Sequence, residues 1–130
     1  MRITVDEARD YFSHPSQQKG SKITPDALPD EGVIYMAAGG VCGAFHDAHW
    51  PGVVMAHYGV KPEVWGRTTG PAREILAAFS AEYQPQAIIG WTDDSNRAAL
   101  AFARRLGFRE YGRLHLPSGT VVMQEWKQWG

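Results

Sequence analysis

Several side chains in this sequence are suited to proton transfer, and one loop is suited to holding phosphate. His57 has an unperturbed pKa near neutrality, so it can take a proton from a substrate. Asp93 and Asp94 follow an apolar run and can serve the same end, with Glu63 a further carboxylate. A histidine inside a core strand is more often a satisfied structural residue, and both readings of His57 stay open. The stretch Val64-Trp65-Gly66-Arg67-Thr68-Thr69-Gly70-Pro71-Ala72 is a Gly-containing loop that opens a helix. Backbone N–H groups at such a start point outward, and glycines let an anion come close. An ordinary helix start has the same local pattern. Cys42, His46, His49 and His57 are metal-ligating types, but their spacing fits no closed structural zinc pattern.

Elements that would position these groups can be read along the chain. Residues 2–5 suggest a short strand or lead-in. Thr4-Val5-Asp6-Glu7 is a capping box, and a helix over 5–13 would put Val5, Ala8, Tyr11 and Phe12 on one side, with Pro15 ending it. The polar segment 16–32, with its Gly and Pro residues, reads as a loop. Strands follow at 33–37 and 41–45 around a Gly39-Gly40 turn, then at 53–58. Gly59 suggests a bulge or a close approach by another backbone. A helix from Pro71 buries Ile75, Leu76, Phe79 and Tyr83. Ala87-Ile88-Ile89-Gly90-Trp91 is almost unbroken apolar and suits a strand buried on both faces. Asp94 or Ser95 can cap the next helix, whose stripe is Ala99, Phe102, Ala103 and Leu106 and whose stop is Gly107. Strands at 108–116 and 120–126 complete an α/β order: a mixed, mostly antiparallel sheet, one right-handed parallel crossover over 53–92, and flanking helices.

Composition bounds the reading. The 130 residues suffice for a single domain, 1–130, with one core. A net charge of −1 without blocks of like charge argues against nucleic-acid or membrane-surface binding. No run is long enough to span a membrane, the N-terminus lacks a signal-peptide pattern, and the single cysteine fits a reducing compartment. The expectation is a cytoplasmic monomer or homodimer.

The spacing Asn96…Ala99…Leu106-Gly107-Phe108 resembles the N-x-x-A-x-x-x-(Tyr)-x-x-x-G-F signature of the GNAT acyltransferases, the acetyl-CoA-dependent N-acetyltransferase superfamily, and the element order extends the likeness over essentially the whole chain. The resemblance implies acetyl transfer from acetyl-CoA to an amine of a small molecule or protein. It implies that strands 53–59 and 87–92 lie parallel and splay at their C-terminal ends, with the pantetheine arm between them. Backbone groups near Gly59 and Val60, and Asn96, would hold that arm. The loop would hold the pyrophosphate, and two alignments to Q/R-x-x-G-x-G/A remain. Arg67-Thr68-Thr69-Gly70-Pro71-Ala72 matches literally. A gapless alignment instead puts Trp65 at the first position, Thr68 at the first Gly and Gly70 at the last, with Gly66 between. His57 or Asp93 would be the base. The family's tyrosine acid would fall at Ala103 and is absent; Tyr58, Tyr83 or Tyr111 could substitute, or the thiolate could leave and take its proton from solvent. The departures in the loop, and the missing tyrosine, also fit a catalytically inactive phage- or prophage-type relative that acts as a binding module.

Overall fold

The computed structural model describes residues 1–13 and 28–128. The expected stop at Pro15 and most of the 16–32 loop fall outside the described residues. The strands are β1 (Arg2–Ile3), β2 (Val33–Ala38), β3 (Val41–Asp47), β4 (Val53–Val60), β5 (Ala87–Asp93), β6 (Arg109–Leu116) and β7 (Gly119–Trp126). They form one seven-stranded sheet in the order β1-β2-β3-β4-β5-β7-β6. Only β4 and β5 pair in parallel; every other neighbour is antiparallel. The helices are α1 (Val5–Arg9), α2 (Thr69–Tyr83) and α3 (Arg97–Leu106), with a 3₁₀ turn at Pro62–Val64. This is the mixed α/β sheet expected from the sequence.

The main core lies between the sheet and α2. Ile75, Leu76 and Phe79 of α2 pack on Val41, Phe45, Val54 and Ile88, and Phe45 stacks on Phe79 at 4.0 Å between centroids. A second cluster covers the other face at the N-terminal half of the sheet, where Ala8 and Phe12 meet Tyr35, Cys42 and Ala44. Among the described residues no comparable cover lies over β5–β7 on that second face, where Trp91 is 46% exposed and Tyr111 44%. Strand β5 is therefore not buried on both faces: Ile88 is buried, while Trp91 opens to solvent.

Three local expectations change, and the two alternatives for Gly59 resolve to one. The capping box at Thr4 and Glu7 forms, but α1 stops at Arg9, and tight turns from Tyr11 to Ala8 and from Phe12 to Arg9 swing Phe12 under the sheet. Gly59 makes no bulge, because the β3–β4 register runs unbroken from Val41↔Val60 to Asp47↔Val54. It makes a close approach: a Cβ there would sit 2.7 Å from the Tyr11 carbonyl oxygen and 2.9 Å from the Phe12 ring. Helix α2 starts at Thr69. Pro71 is then its third residue, still in the turn whose N–H groups have no partner within the helix. Helix α3 is capped by Asn96, whose side chain accepts the Ala99 N–H at 3.2 Å. Asp94 and Ser95 are not the cap. The Ser95 hydroxyl and N–H both donate to Asp93 Oδ1, at 2.6 and 2.9 Å, and that turn delays the helix.

Candidate functional site

The β4–β5 ladder contains the pairs Val53↔Ala87, Val54↔Ile88 and Met55↔Ile89 and then stops, although β4 continues to Val60 and β5 to Asp93. Each strand is held on its far side along the whole of this length. β3 pairs with β4 as far as Val60, and β7 pairs with β5 as far as Asp93. The two halves of the sheet therefore part like a fork, with Gly90 near the crotch, its Cβ position 4.0 Å from the Ala56 carbonyl oxygen. Successive strand residues send their N–H and C=O to opposite sides. Val53 bonds toward Trp50 and Ala48, and the Lys61 N–H bonds Gly40 on the β3 side. By alternation, the even residues of β4 direct their backbone groups at β5; the Met55↔Ile89 pair engages the Ala56 N–H, and beyond it the Ala56 carbonyl and both groups of Tyr58 and Val60 face the gap, where the ladder has ended. Such groups need a partner from ligand or water.

The gap opens into a cleft of about 780 Å³ bounded by β4, the loop before α2, β5 and α3. Half-buried Ala99, Phe102 and Ala103 line it, so this stripe of α3 faces the cleft as well as the core. Leu100, outside the expected stripe, is buried instead.

Tyr58 is the most unusual group here. Its ring makes edge-to-face contacts with Phe45 (6.3 Å, 82°) and Phe102 (5.5 Å, 76°). Its hydroxyl is buried and, among the described residues, has no hydrogen-bond partner. Burial, and to a lesser degree the Cys42 thiol, push its pKa up, so it remains a proton donor at any working pH. Leaving such a hydroxyl unsatisfied costs about 1–3 kcal/mol. A buried orphan donor on a cleft wall is what an absent acceptor leaves behind.

His57 also lines the cleft. Burial, followed by the neighbouring His46, holds its pKa down at about 4, so its ring is neutral near pH 7. Its Nε2 lies 3.0 Å from His46 Nε2. The ring planes differ by 17° and the centroids are 5.2 Å apart. That separation is close to the maximum that an Nε2–Nε2 distance of 3.0 Å allows. Both nitrogens therefore lie nearly on the line joining the rings, and the contact is an in-plane hydrogen bond rather than a face-to-face stack.

The other expected site residues divide clearly. Trp65, Gly66, Thr68, Val60 and Asn96 line the cleft. Thr68 is the N-cap of α2 but makes no side-chain capping bond, so the first-turn N–H groups are not satisfied by it. Arg67, Thr69 and Gly70 are not on the cleft wall: Arg67 donates to the Glu63 carbonyl at 2.9 Å, the Thr69 hydroxyl accepts from Arg105 Nε at 3.4 Å, and Gly70 faces open space. Ala72 is 0% exposed and its N–H bonds the Thr68 carbonyl, so it has nothing to offer a ligand. Gly59 packs on the segment after α1. Asp93 lies off the cleft, and its two bonds from Ser95 hold its carboxyl below the usual range, which makes it a turn-former and a poor base. Of the alternative tyrosines, Tyr83 is remote and takes a hydrogen bond from Arg2, while the Tyr111 hydroxyl accepts from Trp91 Nε1 at 2.9 Å outside the cleft. The Cys42 thiol is fully buried and pushed up to about 12, so it is inert. Among the described residues, no three potential metal ligands gather, and no helix is long and apolar enough to cross a membrane.

Three wall residues have roles that sequence reading missed. Arg97 and Arg105 bring positive charge to the cleft. Both belong to α3, whose arginines read as a solvated face until α2 is placed beside it. Gln124 is 2% exposed and lines the cleft opposite Gly90. Its signal was present: it shares strand parity with Val122 and Trp126, so it is a polar residue at a core-facing position.

No protein-family model matches the chain, and no curated protein sequence matches it. Solved structures do match in shape. An aminoglycoside acetyltransferase, AAC(6')-Ib, in complex with coenzyme A superposes with a TM-score of 0.73 at 14% identity, over 99% of this chain and 94% of that one. The same enzyme with coenzyme A and kanamycin gives the same score. A GNAT-family acetyltransferase from Bacillus anthracis gives 0.61 at 14% identity, over 69% and 59% of the two chains. At this identity the likeness speaks to the backbone alone, and with the forked parallel pair it establishes that this chain has the fold of the GNAT acetyltransferases.

Proposed function

We propose that this protein transfers an acetyl group from acetyl-CoA to an amine of a small molecule or protein, in the cleft between β4 and β5. The observation that carries the reading is the orphaned Tyr58 hydroxyl at the fork, beside the Ala56 carbonyl and the backbone groups of Tyr58 and Val60, which lie beyond the last ladder pair. A thioester ligand lying between the strands would supply acceptors and donors to all of them. The solved neighbours with coenzyme A bound support this choice of ligand, and the kanamycin complex supports an amine acceptor.

The wall fits coenzyme A in charge as well as shape. The N-terminal turn of α2, with Thr68 and Gly66, offers N–H donors to a pyrophosphate, and Arg97 and Arg105 add cationic contacts. Asn96 borders the same channel, although its side-chain oxygen is committed to the helix cap. Acetyl-CoA supplies an activated acyl group on a thiol leaving group. His57 takes the proton that the amine must lose, and the Tyr58 hydroxyl donates to the departing sulfur, the role that Ala103 cannot fill.

Coenzyme A should raise the melting temperature. At a hundred times Kd the gain is about 2.7 kcal/mol, roughly 8–14 °C for a domain of this size. Thr68→Glu, which puts a carboxylate among those N–H groups without removing a capping bond, should abolish most of the shift. The same preparation should release free thiol from acetyl-CoA when offered an amine. Binding without thiol release across a broad amine panel would leave a binding module, and no melting shift at millimolar coenzyme A in the folded protein would refute the reading altogether.

A further inference from the structure

The His46–His57 pair fixes where protons sit. His46 Nδ1 lies 3.0 Å from the Asp47 carbonyl oxygen. A carbonyl only accepts, so His46 Nδ1 carries hydrogen, and in the neutral ring His46 Nε2 is a lone pair. The in-plane contact at 3.0 Å then requires His57 Nε2 to be the donor. In neutral His57 this leaves Nδ1 as the lone pair. The two nitrogens of an imidazole point in nearly opposite directions. With Nε2 turned toward His46 on β3, Nδ1 is turned toward the β5 side of β4, where the strands part.

From this geometry we infer that His46 is a positioning residue for the reaction: it locks His57 in the Nε2–H tautomer, with Nδ1 facing the cleft, and receives the charge when His57 takes a proton. The inference rests on the transfer proposed above. The step balances as follows. An N–H bond of the acceptor ammonium breaks and a bond to His57 Nδ1 forms. The hydrogen on His57 Nε2 passes to His46 Nε2. His46 becomes the imidazolium, donating from Nδ1 to the Asp47 carbonyl and from Nε2 to His57, while His57 is again neutral. The proton leaves to solvent as the two transfers reverse and restore the starting tautomers. A lone buried His57 would be a weak base, because the charge would stay in the place that disfavours it. The second ring supplies a more accessible site with both of its hydrogen bonds already made.

Among the described residues, no other titratable group on this face is placed to take this role. On the same sheet face, Tyr35 and Cys42 are buried and held protonated. The Asp47 carboxylate falls on the opposite face by strand alternation, and Asp93 is committed to Ser95.

The test is long-range proton–nitrogen NMR of the histidine side chains in the intact protein, assigned with His46→Gln and His57→Gln. The expected result at neutral pH is His57 protonated on Nε2 alone and His46 on Nδ1 alone. Finding His57 protonated on Nδ1, or His46 on Nε2, overturns the inference. This readout needs no turnover, so it stands apart from the assay of acetyl transfer. In that assay His46→Gln, whose amide oxygen can still accept from His57 Nε2 but cannot take the proton, should keep the tautomer and the KM for acetyl-CoA while kcat falls by about 10- to 100-fold. An unchanged kcat would also overturn it.

Discussion

Replacing Tyr58 by Phe should stabilise the free protein and slow transfer, two effects of opposite sign from one oxygen atom. The ring itself is fixed by Phe45 and Phe102, at 6.3 and 5.5 Å, and phenylalanine keeps both contacts. What leaves is a hydroxyl buried without a partner. The cost of such a group is about 1–3 kcal/mol, and the lower end applies because it borders a cleft that water can enter. A gain of about 1 kcal/mol corresponds to roughly 3–5 °C in melting temperature for a domain of this length. In the reaction, loss of the donor to the leaving sulfur should cost about 10²–10⁴-fold in kcat. The assays are a thermal melt without ligand and thiol release under saturating acetyl-CoA. A lower melting temperature would mean that the hydroxyl is already satisfied in the free protein. An unchanged rate would mean that it does not serve the leaving group. Either result removes the main support for the proposed site.

Two further outcomes follow from other parts of the structure. His57 has a folded pKa of about 4, against 6.5 for an unperturbed histidine; the unfolded chain therefore binds the proton first, so stability is full above about pH 6.5 and falls as pH drops toward 4, by about 2–3 kcal/mol from this group. His57→Gln should flatten that acid limb in a pH series of denaturant melts, and an unaltered limb would contradict the burial argument. Gly59→Ala should lower stability by about 1–3 kcal/mol, since the new methyl meets the Tyr11 carbonyl at 2.7 Å and neither backbone can yield freely; a melt equal to that of the parent protein would show that the approach is looser than it stands.

The outline of the sheet was legible because its signals are local. Gly39-Gly40, Pro85 and Gly107 punctuate the chain, and the strands between them alternate or run apolar with the right lengths. The forked pair was legible only through resemblance, since nothing in the run 53–60 or 87–93 says that pairing ends at Met55. That depends on β3 and β7 holding the strands from outside. Site residues were harder for the same reason. Asp93 looked like a free carboxylate until Ser95 was placed against it, and Ala72 and Gly59 matched expected positions while pointing into the core. The His46–His57 bond joins neighbouring strands across a register that no sequence spacing prints. Arg97 and Arg105 needed the position of α2, and the Tyr58 hydroxyl needed the full packing of Phe45 and Phe102 before its isolation could be seen.

The central claim is that coenzyme A lies in the fork between β4 and β5. Titrating the nitrogen-labelled protein with coenzyme A and following backbone amides tests it most directly. The account predicts the largest shifts at Tyr58 and Val60, whose amides face the gap, together with Gly66, Thr68 and Asn96 along the cleft, and little change at Val33–Ala38 on the far side of the sheet. Saturable binding that leaves Tyr58 and Val60 unmoved, or no binding at all, would contradict it.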